Sequence, residues 1–114
     1  MLHESAKKVE TYLRERHIPY VVVSEAKRAL FGCDCSIPSF DFVIYREEGP
    51  NLLAFAGGVT ARRQSVLREW EKVFGRDFIG AFAVPLASGG CRFVGLDGHD
   101  LEAATLFAAD GSEA

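Results

Sequence analysis

Asp41 is the residue whose setting most invites chemistry. It lies inside the apolar run Ser39-Phe40-Asp41-Phe42-Val43-Ile44-Tyr45. A second run, Pro50-Asn51-Leu52-Leu53-Ala54-Phe55-Ala56-Gly57-Gly58, follows across the turn-forming Glu47-Glu48-Gly49-Pro50-Asn51. The runs predict two central strands joined by a hairpin connection. A carboxylate buried in a strand is costly unless it meets a cation, binds a metal or takes up a proton. Its competing role is structural, an acid paired with a Lys or Arg.

Other chemistry-bearing residues fall into two groups. Cys33-x-Cys35, with Cys91 and His99, offers soft donors to Zn²⁺. The C-x-C spacing is not that of a usual zinc finger, and buried free thiols are the competing account. Arg62, Arg63, Arg68, Lys72 and Arg76, against Glu69 and Glu71, make one helix basic. Such a face can contact phosphates; its alternative is an ordinary solvated surface. Ser65 and Ser88 lack any His/Asp arrangement that would activate a nucleophile. His3 and His17 flank the first helix as surface residues. Trp70 and the many Phe residues sit at core spacing, and nothing in that spacing makes them a base-stacking platform.

The elements that position these residues follow from periodicity and punctuation. Leu2, Ala6, Val9 and Leu13 form one apolar stripe and predict a helix over 3–17, stopped by Pro19. Residues 20–24 are a β-branched strand. Glu25 to Phe31 predicts one or two helical turns ended by Gly32, and 33–38 a loop. In the second strand, alternation places Phe40, Phe42 and Ile44 on one face and Asp41, Val43 and Tyr45 on the other. The third strand, 52–56, is apolar on both faces and therefore central. Thr60 caps a helix running to Phe74, with Gly75 past its end and Val66, Leu67, Trp70, Val73 and Phe74 as its buried stripe. A fourth strand spans 78–86, a fifth 91–96, and a last short helix 99–107, with 108–114 frayed. A β-α-β crossover joins the third and fourth strands. The fold class is α/β: one domain over 1–107, a mixed sheet with helices on both faces.

The bulk numbers bound the possibilities. The chain has 114 residues, 48% hydrophobic, with a formal net charge of -3. That suits one folded domain and argues against disorder. Residues 1–76 carry 12 Lys and Arg against 10 Asp and Glu; residues 77–114 carry one Arg against six acids. A polyanion would therefore meet the first two thirds. The three cysteines form no disulfide framework, and no apolar run suits a signal core or a membrane span. The expectation is a cytoplasmic protein with no membrane partner.

The element order resembles the PD-(D/E)XK, or restriction-endonuclease-like, superfamily. More closely, the chain is similar to an uncharacterised family named for an H-Y-E-x-A-F-E signature, over roughly residues 9–86. The residues that carry this are Pro19-Tyr20-Val21, Ala29-Leu30-Phe31-Gly32, Ser39-Phe40-Asp41-Phe42-Val43, Pro50-Asn51-Leu52-Leu53 and Trp70-x-x-Val73-Phe74-Gly75. The resemblance implies a nuclease-like α-β-β-β-α-β core with a C-terminal appendage. In such a site two carboxylates hold Mg²⁺ or Mn²⁺ and a Lys orients the attacking water. Asp41 matches the second-strand acid and Glu10 the last Glu of the signature, as a remnant. The rest of the signature departs, since Glu4-Ser5-Ala6-Lys7-Lys8-Val9 precedes Glu10. The Asp/Glu-x-Lys positions hold Phe55-Ala56-Gly57. Phe cannot ligate a hard cation and Gly cannot orient a water.

The resemblance therefore implies a degenerate nuclease-like domain with no cofactor, binding nucleic acid or a protein partner. Arg62, Arg63, Arg68 and Lys72 are the expected contacts to nucleic acid. Two readings compete with it. One is a Mg²⁺- or Mn²⁺-dependent nuclease with Asp41 as metal ligand and groups supplied by neighbours such as Arg62, Arg63 or Glu25. The other is a structural homodimer.

Overall fold

The structure, a computed structural model, describes residues 3–24, 40–47 and 49–101. The predicted first helix is α1, Glu4–Glu15, and His3 stands at its N-cap. Its C-terminus closes with two backbone bonds, Ile18 N–H to Leu13 O at 3.0 Å and His17 N–H to Arg14 O at 3.1 Å. This is a Schellman motif, with Leu13 and Ile18 buried together beneath it. His17 occupies the left-handed position at φ 59°.

Six strands follow: β1 Tyr20–Val22, β2 Phe42–Ile44, β3 Asn51–Ala56, β4 Phe78–Pro85, β5 Cys91–Gly95 and β6 Asp100–Leu101. Between β3 and β4 runs α2, Ala61–Phe74. The fold is mixed α/β, and the expected order of helix, three strands, helix and strand is present. The six strands lie in the sheet in chain order, and only β3 and β4 pair in parallel. That pairing requires a crossover, which α2 supplies. The turn between β2 and β3 is drawn in by Arg46, whose backbone N–H donates to Asn51 Oδ1 at 2.9 Å and whose guanidinium donates to Pro50 O at 3.0 Å.

The sheet divides two apolar layers. Alternation along β3 and β4 sends Leu52, Ala54, Ala56, Ala81 and Ala83 toward α1, against Val9 and Leu13. It sends Leu53, Phe55, Phe82 and Val84 toward α2, against Leu67 and Trp70. The small residues on the α1 side leave space for Tyr12 and Phe93, whose rings lie 6.0 Å apart. On the other side α2 approaches the sheet at Gly80, where a Cβ would fall 2.9 Å from Leu67 Cβ. Two polar side chains fasten α2 to the sheet. Gln64 Nε2 donates to Leu96 O at 2.6 Å, and Glu71 Oε2 accepts from Gly80 N–H at 2.6 Å.

Several expectations change. Strand β2 begins at Phe42, so Asp41 lies just before it rather than inside it. The register pairs Phe42 with Ala54, yet Asp41 N–H also donates to Ala54 O at 3.0 Å. Two residues of one strand thus meet one of the other, the signature of a β-bulge, which breaks side-chain alternation. Phe40 and Phe42, expected on one face, accordingly enter opposite layers. The buried stripe of α2 is also narrower than its sequence suggests. Leu67 is fully buried, whereas Val73 is 71% and Phe74 40% exposed. At the C-terminal side, Asp100–Leu101 is a short strand paired with β5, where a helix from His99 was expected. The expected helical turns of 25–31, the loop 33–38 and the tail 108–114 lie outside the described residues.

Candidate functional site

The bulge and the end of β3 bring the candidate residues together. Asp41 Oδ2 accepts a hydrogen bond from Ala56 N–H at 2.8 Å. At this point β2 no longer offers β3 a backbone acceptor, and the carboxylate supplies one. The side chain is 20% exposed and lies 3.4 Å from His3 Nε2. His3 is occupied at both nitrogens, since its Nδ1 accepts from Ala6 N–H at 3.4 Å as the cap of α1. In the neutral ring that arrangement leaves the proton on Nε2, facing Asp41. His3, read from sequence as a plain surface residue, is therefore the side chain that links α1 to the bulge. The cap position just before the apolar stripe was the available signal, but His is not among the usual capping residues.

Glu10 does not converge on Asp41. It accepts from Tyr20 Oη at 2.9 Å and pairs with Arg14 at 3.3 Å. Burial, and then the bond to Glu10, raises the pKa of the Tyr20 phenol. Tyr20 lies opposite Ile44, three residues along β2 from Asp41. That separation is about 10 Å, and the seven residues from His3 to Glu10 along α1 span a similar distance, about 10 Å. The two acids sit at opposite ends of the same layer.

Phe55 and Gly57, at the positions where the resemblance calls for an acid and a lysine, face α2. There Arg63 lies over the Phe55 ring at 5.2 Å, and its NH1 donates to Gly58 O at 3.2 Å. Gly57 has φ 118°, and a Cβ added to it would fall 2.9 Å from Arg63 NH1. Thr60 Oγ1 holds the first turn of α2 by accepting from Arg63 N–H at 3.2 Å. At the end of β3 thus lie Asp41, bonded to Ala56 and His3 on the α1 side, and Arg63, against Phe55 and Gly57 on the α2 side. Arg62 and Arg68 are exposed along α2, and Lys72 is exposed and pairs with Glu69 at 3.4 Å.

The donor set does not fit a hard divalent cation. Such an ion prefers several oxygens, and here one carboxylate is already bonded to Ala56 and His3 on the α1 side, while Phe55, Gly57 and the Arg63 guanidinium occupy the α2 side. Among the described residues, no group of three His, Cys, Asp or Glu could hold a metal ion. For zinc, Cys91 is buried and its thiol is pushed up to about 12 by burial. His99 lies past the other end of β5, paired with Asp97 at 3.0 Å. Cys33, Cys35 and Glu25 lie outside the described residues.

Comparison with known proteins adds no relative. No family model, no curated protein and no solved structure matches this chain. No described helix is long and apolar enough to cross a membrane.

Proposed function

We propose that this chain is a nuclease-like domain that has lost metal-dependent cleavage and serves as a binding module for nucleic acid. The observation that carries the reading is the placement of Arg63 over Phe55 and against Gly57. A fixed cation there disfavours a bound metal ion and favours an anion. The strand order β1-β2-β3-β4, with only β3 and β4 parallel and a helix on each face, agrees with the core that the resemblance implies. Arg62, Arg68 and Lys72 extend the positive surface along α2, and a phosphate backbone is the polyanion such a row suits.

Two titrations test this. Affinity for DNA should fall steeply as salt rises, because each phosphate contact releases counterions. Arg62→Glu with Arg68→Glu should weaken binding and flatten that slope while leaving the thermal midpoint nearly unchanged, since both side chains are exposed. Absence of DNA binding at low salt refutes the reading. Calorimetric titration with Mn²⁺ addresses the metal-dependent alternative. The natural protein should give no specific heat, because Asp41 is committed to Ala56 N–H and His3; a stoichiometric site would favour the metal-dependent alternative.

A further inference from the structure

We infer that the nucleic acid taken by this surface is single-stranded, with bases stacking on exposed aromatic rings at the C-terminal end of α2; this rests on the binding function proposed above. Two aromatic side chains that could have been buried are not, since Phe74 and Tyr45 are each 40% exposed. The register places them at the same end of the sheet. Phe74 packs on Phe78 with ring centroids 4.9 Å apart, and Phe78 pairs with Asn51. Asn51 follows the β2–β3 register one residue past the Ile44 and Leu52 pair, opposite Tyr45. Val43 belongs to the α2 layer, and so by alternation does Tyr45. Tyr45 and Phe78 thus stand on one face two strand spacings apart, about 10 Å.

Trp70 continues the row along α2, with its ring 5.8 Å from Phe74 and 5.8 Å from Phe40. Along α2 the row is flanked by a modest excess of positive charge, four Arg and Lys against Glu69 and Glu71. Arg62 and Arg63 lie at the N-terminal end of α2, Arg68 and Lys72 are exposed along it, and Arg76 follows its C-terminal end. A ligand that matches both features carries regularly spaced negative charge and flat apolar faces. A single strand has both on its surface, whereas a duplex hides its bases in the stack. Base–aromatic stacking tolerates any sequence because every base has a π-face.

The test compares three probes of equal length on the full chain by fluorescence anisotropy: a single strand of mixed sequence, its duplex, and an abasic strand. The expected result is single-strand affinity at least about fivefold above both others, with Trp70 emission changing on binding. Phe74→Leu keeps apolar packing but removes the ring, and Tyr45→Ala changes an exposed site. Each should cut the single-strand preference while leaving abasic binding unchanged. Equal affinity for single strand and duplex, or a preference that survives both substitutions, overturns this inference while leaving nucleic-acid binding intact. No binding of any probe at low salt removes the parent reading and this one with it.

Discussion

At the scale of the residue, Asp41 is a backbone acceptor before it is anything else. Its bond to Ala56 N–H completes the end of β3 where β2 has stopped. Asp41→Ala should therefore cost about 1–3 kcal/mol, the penalty of leaving a part-buried donor without its acceptor. Asp41→Asn keeps an oxygen at the same place and should cost well under half of that. Urea unfolding of both variants separates this role from one that depends on charge. If Asn is as damaging as Ala, the carboxylate matters as an ion and not as an acceptor.

A second residue-scale expectation concerns pH. The hydrogen bond and charge of Asp97 raise the pKa of His99, and His99 in turn lowers that of Asp97. For the raised group, the stabilising contribution is present below the unfolded His pKa and fades as pH rises through the folded one. For the lowered group, it is present above the unfolded Asp pKa and fades as pH falls through the folded one. The pair therefore contributes most between roughly pH 4 and pH 6.5. Both side chains are exposed, so the effect is a shallow maximum. A thermal midpoint measured across pH should lose that maximum in His99→Ala; an unchanged profile would assign the turn no electrostatic role.

At the scale of the element, α2 is held by a close approach at Gly80. A methyl group there would meet Leu67 Cβ and, at 3.1 Å, Leu96 Cδ2, with little room to shift. Gly80→Ala should cost about 1–3 kcal/mol, the range for overpacking a filled site. Denaturant midpoints measure it, and a neutral result would mean that α2 can lift from the sheet. The ends of α2 were legible from sequence because caps are local: Thr60 and Gly75 sit where their own backbone geometry demands them. The hairpin around Gly49 and the central place of β3 were legible for the same reason, through short-range turn chemistry and a two-sided apolar run. What escaped was non-local. The bulge at Asp41 is set by a bond to Ala54 on the next strand, and it moves Phe40 to the other layer. The exposure of Val73 and Phe74 depends on how much sheet α2 covers, which the spacing of apolar residues along one helix does not encode. Of the site, Asp41 and Arg63 were visible as chemistry, but their partners His3, Ala56 and Gly57 were not, since all three contacts are made across elements.

At the scale of the molecule, each strand lies beside the strand that precedes it in the chain. Described as assembly, this gives the protein a natural sequence of events. The β2–β3 hairpin closes over a short loop, whereas the β3–β4 pair joins Asn51 to Phe78 and waits until α2 has bridged them. Closing that crossover carries the largest loop entropy among the pairings from β2 onward and should limit the rate. Stopped-flow refolding should then give a folding arm that Leu53→Ala, in β3 opposite Gly80 of β4, slows strongly. Leu101→Ala, on the last strand, should act mainly on the unfolding arm. Slowing of folding by Leu101→Ala equal to that by Leu53→Ala would mean that the last hairpin is already docked at the barrier. On a ribosome the same order lets the strands be laid down as they emerge, with β5 and β6 added to a crossover already made.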